Sequence, residues 1–297
     1  MTIAPFAAEI KDGKLYGRGA GDAKSSLSAI MMALKTLKRS GVVLHGSVRF
    51  VAEVGEEGGG WSAEQLESSG FMDADMTVIG EQTELRVEIG NRGVFRNSVK
   101  VFGRATHSGL AQRGINAIQK MATVISGLYA LPYLEIDDPI WGKSSMNVQK
   151  IEGGRYSASV PDECTISIDS RLTAKVPPQV AKEQIGQLLN SLADSDAEFR
   201  YELGAPVMIP AAFISGDEKI VVAAKEATRK MLKREPTIAA CSGYTMAARF
   251  IQRGIPAIIL GPGSVEQAHS ADEWVEIQQI VDAAKIYTLI TLMILGC

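Results

Sequence analysis

Two adjacent glutamates, Glu56 and Glu57, end the apolar run SVRFVAEV and are followed by Gly58, Gly59 and Gly60. Neighbouring carboxylates repel each other, so the pair calls for compensation, either by a bound cation or by solvation at an exposed turn. Three further groups have similar placements. Asp22, in GRGAGDAK, precedes an amphipathic run, Glu81 closes the run MTVIG, and His269 follows IPAIIL and the turn Gly261-Pro262-Gly263. Ligands of open α/β sheets gather beyond the carboxyl ends of the strands, and these five groups come from four separate loops on that expected edge. Carboxylates and a neutral imidazole without a thiolate are what a hydrolytic divalent metal takes as ligands.

The elements that position these groups alternate along the chain. Leu27, Ile30, Met31, Leu34 and Leu37 recur at helical spacing over residues 24–40, with Gly41 as a stop. A strand over SVRFVAEV follows, then a short helix whose Ser62 and Gln65 have capping-box spacing, closed by Gly70. Near the other end come a helix over 219–233, a strand TIAAC, a helix over 246–252 and a strand IPAIIL. Ser270 and Glu273 again show capping-box spacing, which predicts the start of a last helix. Apolar strands alternating with helices indicate an α/β fold, a largely parallel sheet flanked by helices.

Between Gly93 and Gly204 the rhythm becomes β-α-β-β-α-β, the order of a ferredoxin-like α+β unit. The expectation is one α/β domain from residues 1–92 and 205–297, interrupted by a smaller domain over 93–204.

With 297 residues and a formal net charge of -3, the chain offers no basic field for nucleic acid or anionic lipid, which favours a small-molecule substrate. Cys164, Cys241 and Cys297 are scattered and form no CxxC pair, which suits ordinary thiols in a reducing, cytoplasmic setting. No uninterrupted apolar run reaches the ~18 residues of a membrane span.

Taken in order, LYGRGAGDAKSSLSA, EVGEEGGG, VIGEQT, RATHSGLAQRGINAI, IDSRL and GIPAIILGPGSVEQAHSADEWV resemble the zinc-dependent aminoacylase and carboxypeptidase family, of the acetylornithine deacetylase, succinyl-diaminopimelate desuccinylase and glutamate carboxypeptidase type. The resemblance spans essentially the whole chain. It implies a metal-binding α/β domain with an inserted lid or dimerisation domain, and hydrolysis of amide bonds in N-acyl amino acids or short peptides with a free carboxylate. Two zinc ions are implied, with cobalt or manganese as substitutes. Asp22 matches the aspartate that bridges both ions, Glu57 and His269 match the remaining ligands of one, and Glu81 matches a ligand of the other. Glu56 matches the general base, so one glutamate of the doublet holds a cation while its neighbour handles the proton.

Read by itself, His107 in THSG is a hairpin histidine; the resemblance makes it the histidine that reaches into the partner subunit's active site, which requires a homodimer. Arg171 ends a strand and either clamps a substrate carboxylate or is a solvated or salt-bridged arginine. Gly243 matches a substrate-binding glycine, although Tyr244 and Met246 replace the family's second glycine and aspartate, and Ala158 replaces an asparagine. These departures imply a bulkier, less polar pocket. The family's His-x-Asp motif has no counterpart before MTIAPF. One metal site is therefore expected to be incomplete, and a non-catalytic relative with a dimerisation or binding role is the alternative function.

Overall fold

Short apolar runs rich in Val and Ile become strands in the computed structural model, which describes residues 1–55, 57 and 61–296. Glu56 and glycines 58–60 lie outside the described residues. Two compact units emerge, one built from residues up to Asn91, Ala212–Cys241 and Thr245 onward, the other from Arg92–Ala211 with Ser242–Tyr244.

In the first unit, Val87–Asn91 is central. Ile238–Cys241 pairs with it in parallel, Ala212–Phe213 pairs antiparallel, and Ala257–Ile259 links it to Thr77–Ile79, the last two being parallel to each other. The fold is α/β, but the sheet is mixed rather than largely parallel. Ala212–Phe213 re-enters this sheet only after the whole Arg92–Ala211 unit, and apolar patterning does not carry the direction in which a strand returning from so far along the chain pairs. Val87, Ile89, Ile258 and Leu260 form its core with Val221, Ala224, Ile286 and Ile290 from the helices Lys219–Leu232 and Ile277–Leu295.

Two local expectations are corrected. The stretch 47–54 forms no strand, and Val48, Val51 and Val54 are exposed. Strand propensity describes a residue's fit to a pleated surface; the ladder itself must come from a partner. The helix Ser25–Ser40 ends at Gly41, with φ of 70°, where the left-handed stop is expected. Its buried stripe, however, is Ala29, Ala33 and Leu37, while Met31 is 57% exposed. Small side chains at four-residue spacing let this helix lie close against Ile277–Leu295. The latter is the one helix among the described residues long and apolar enough to cross a membrane by length and composition; Ala283, Ile286, Tyr287 and Ile290 bury one side of it in the core.

The second unit has the strand order Arg200–Leu203, Gly93–Phe102, Glu163–Leu172, Ser145–Gly153, all antiparallel, which is the ferredoxin-like arrangement. Val207–Ile209 also pairs with Val94–Arg96, so the unit runs past Gly204 to Ala211. Helices Ala117–Leu128 and Pro178–Ser195 pack on this sheet, closing a core around Phe95, Val99, Ile166, Met121, Val124 and Ile185. Asn116 caps the first helix by accepting from the N–H groups of Ile118 and Gln119.

One buried carboxylate sits in the central strand of the first unit. Glu88 is 5% exposed, and burial pushes its pKa up to about 7, against opposing effects of Arg86 and the Cys241 side chain. A carboxyl whose folded pKa lies above its unfolded one holds its stabilising proton fully below the unfolded pKa and loses it as pH rises through the folded one. Stability is therefore expected to fall between roughly pH 4.5 and 7, by an amount on the order of 3 kcal/mol from the size of the shift. Glu88→Gln should remove most of that dependence, leaving Tm near wild type at pH 5 and raising it at pH 8.5. Thermal melts with equal pH slopes for both proteins would contradict this account.

Candidate metal centre

Three loops of the first unit bring Asp22, Glu57 and His269 together. The loop Gly19–Lys24 precedes the helix Ser25–Ser40, Glu57 follows the stretch 47–54, and His269 lies beyond the strand Ala257–Ile259. One ligand atom from each residue lies within 4.8 Å of the other two. His269 Nε2 is 2.7 Å from Glu57 Oε2 and 3.6 Å from Asp22 Oδ2. These side chains, with Arg18 and Glu273, line a cleft of about 330 Å³.

The electrostatics suit a cation. Burial is the largest influence raising the pKa of Asp22, the charge of Glu57 adds to it, His269 opposes it, Glu273 raises it further, and a hydrogen bond with Gln82 lowers it. A half-buried carboxylate facing a second carboxylate has unfavourable charge that a divalent ion would offset. Two carboxylates and one imidazole also match a catalytic zinc site, which takes three protein ligands and keeps a position open. The residues present therefore fit a metal.

The backbone explains the glycines here. At Gly261 a Cβ would come 2.4 Å from the carbonyl oxygen of Glu81 and 2.5 Å from Ser26 Oγ, and Gly263 has φ of +91° with Gly21 Cα 3.3 Å from its Cβ position. The Gly261-Pro262-Gly263 turn is thus a close crossing of backbones that holds the His269 loop against the loop bearing Asp22.

Other expected site residues lie elsewhere or have other partners. Glu81 follows Thr77–Ile79 and is half-buried, but the group of ligand atoms within 4.8 Å comprises only Asp22, Glu57 and His269 among the described residues. Its neighbour Gln82 bonds Asp22 instead. Glu56 lies outside the described residues. His107 is exposed in the second unit, where its Nδ1 accepts from the Gly109 N–H at 3.1 Å and its backbone bridges Ser159, as a hairpin-type histidine would. Arg171 donates through Nε to Asp169 Oδ1 at 2.7 Å, and the same buried carboxylate takes Nε of Arg96. Gly243 lies in the turn between Ile238–Cys241 and Ala247–Gln252.

Three residues at the site are not singled out by the sequence: Arg18, Gln82 and Glu273. The spacing of Ser270 and Glu273 reads as a capping box, yet the helix begins at Ile277 after the strand Trp274–Glu276. Glu273 turns inward instead and is 1% exposed. Its distance of four residues from His269 was the available signal.

The profile of Peptidase family M20/M25/M40 matches residues 1–292. An acetylornithine deacetylase of Photorhabdus laumondii is 30% identical over 96% of this chain and 73% of its own length. An N-formyl-4-amino-5-aminomethyl-2-methylpyrimidine deformylase of Bacillus subtilis is 27% identical over 95% of this chain and 72% of its own. Among solved structures, a tripeptidase from Staphylococcus aureus has a TM-score of 0.80 at 24% identity, covering 96% of this chain and 75% of that one, and the metallo-carboxypeptidase Sso-CP2 from Sulfolobus solfataricus has 0.77 at 22%, covering 98% and 80%. The fold is shared with both, and with a profile match over nearly its whole length the chain belongs to Peptidase family M20/M25/M40, as an enzyme of the hydrolase type.

Proposed function

We propose that this chain hydrolyses the amide bond of an N-acyl amino acid or a short peptide with a free carboxylate, and that zinc is its physiological metal. The observation that carries this reading is the convergence of Asp22, Glu57 and His269 on one cleft. These three would hold the ion, with cobalt or manganese as workable replacements. When bound, a divalent cation polarises the scissile carbonyl and lowers the pKa of water. Glu56, adjacent to a ligand and free of that duty, takes the proton from the attacking water and passes it to the leaving amine. Arg18, tied to Glu273, places a positive charge on the cleft wall. By ligand count, about one tightly held metal per chain is expected.

A cytoplasmic homodimer completes the proposal, with self-association through the Arg92–Ala211 unit and His107 acting across it. Its support is the outer strand Ser145–Gly153, which ends the sheet and leaves Ile151 exposed.

The test is a panel of N-formyl, N-acetyl and N-succinyl amino acids and dipeptides, assayed with the protein as purified, after chelation, and after zinc is restored. Amide cleavage that disappears with chelation and returns with zinc is expected. Turnover that survives exhaustive chelation, or no cleavage of any panel member by zinc-loaded protein, would overturn the proposal.

A further inference from the structure

Glu273 contributes nothing to the group of three ligands, yet it is the most enclosed charge beside it, at 1% exposure. Its Oε2 accepts from the Gly19 N–H at 2.8 Å and from Arg18 Nη1 at 3.0 Å. Its Oε1 accepts from the N–H groups of Gly21 and Asp22, both at 2.8 Å. One carboxylate thus gathers three backbone donors from the loop that carries Asp22, while sitting four residues beyond His269 on the other loop. Arg18 closes the circuit, because its Nη2 donates to the Ser270 carbonyl at 2.8 Å, next to His269. Gly19, with φ of +81°, supplies the left-handed turn on which those donors converge.

A buried carboxylate is costly unless its lone pairs are used, and charge-assisted bonds to backbone N–H groups are among the stronger ones available. Three backbone donors of the loop use both oxygens of one carboxylate, so the carboxylate and the loop satisfy each other. We infer that Glu273 is a positioning residue, which locks the Asp22 loop onto the His269 loop so that both ligands face one another before any ion arrives. This rests on the metal reading of the site. Affinity then depends on Glu273 through pre-organisation, since a loop that must be ordered on binding weakens it. Outer-shell partners of this sort typically account for 10- to 100-fold in metal affinity.

The test uses Zn²⁺ alone, titrated against a chromogenic chelator, with wild type, Glu273→Gln and Arg18→Met. Glutamine turns an NH₂ group toward at least one backbone donor, so the latch opens with little change in volume. A zinc affinity about 10- to 100-fold weaker is expected for Glu273→Gln in folded protein. Ile286→Val, a core substitution, serves as a destabilised control that should keep wild-type affinity. If Glu273→Gln does not fold, Arg18→Met carries the test, and a weaker affinity in that variant supports the inference. Wild-type affinity in the folded latch variants, or an equal loss in Ile286→Val, overturns the inference alone. A wild-type protein that binds no zinc overturns the metal reading and the inference with it.

Discussion

Glu56→Gln is expected to reduce amide hydrolysis about 10²- to 10⁴-fold while leaving metal content nearly unchanged. The neutral amide has the size of the carboxylate but neither accepts a proton from water nor delivers one to the amine. Glu57, its neighbour in sequence, is the residue that approaches His269 Nε2 at 2.7 Å, so the ligand set does not require Glu56. A complementary result follows from the proposed dimer. Mixing inactive Glu56→Gln subunits with inactive His107→Ala subunits should produce some hybrid sites holding both groups, and activity should return. Unchanged turnover in Glu56→Gln would remove its assigned role. No recovery despite demonstrated subunit exchange would confine His107 to its own subunit.

Removing His269 should have the other large effect. With three ligands in the group, His269→Ala leaves two carboxylates, one of them half-buried with a raised pKa, and nothing neutral to complete the site. Zinc bound by a full structural set of four ligands is worth on the order of 10–16 kcal/mol, so one ligand corresponds to about 2.5–4 kcal/mol, or roughly 10²- to 10³-fold in affinity. His269 is 72% exposed, so its loss should leave Tm of the metal-free protein close to wild type. Zinc titration and a thermal melt separate the two effects. Equal zinc affinity in His269→Ala would move the metal site away from this cleft.

How much of this was legible in the sequence depended on the range of the interaction. Helix ends set by local backbone chemistry, such as Gly41 after Ser25–Ser40, can be read directly. The ferredoxin-like order of the second unit follows from the succession of its elements. Pairing direction did not, because Ala212–Phe213 runs antiparallel to Val87–Asn91 for reasons of chain return that period-two patterning does not encode. The stretch 47–54 has strand composition without a ladder partner, and composition alone does not reveal the difference. At the site, chemistry at the ends of apolar runs pointed to Asp22, Glu57 and His269. Ser270 and Glu273 have the spacing of a capping box, whereas the partners of Glu273 lie more than 250 residues away in the chain, at Gly19, Gly21 and Asp22. Local spacing is blind to such contacts.

Anomalous diffraction at the zinc edge from crystals grown with Zn²⁺ tests the central claim most directly, because it locates the ion without reference to activity. The account predicts an anomalous peak bounded by Asp22, Glu57 and His269, about 2.0–2.2 Å from each ligand atom, with the contact between His269 and Glu57 replaced by bonds to the ion. A cleft without such a peak, with His269 still hydrogen-bonded to Glu57 while zinc sits elsewhere on the protein, would contradict it.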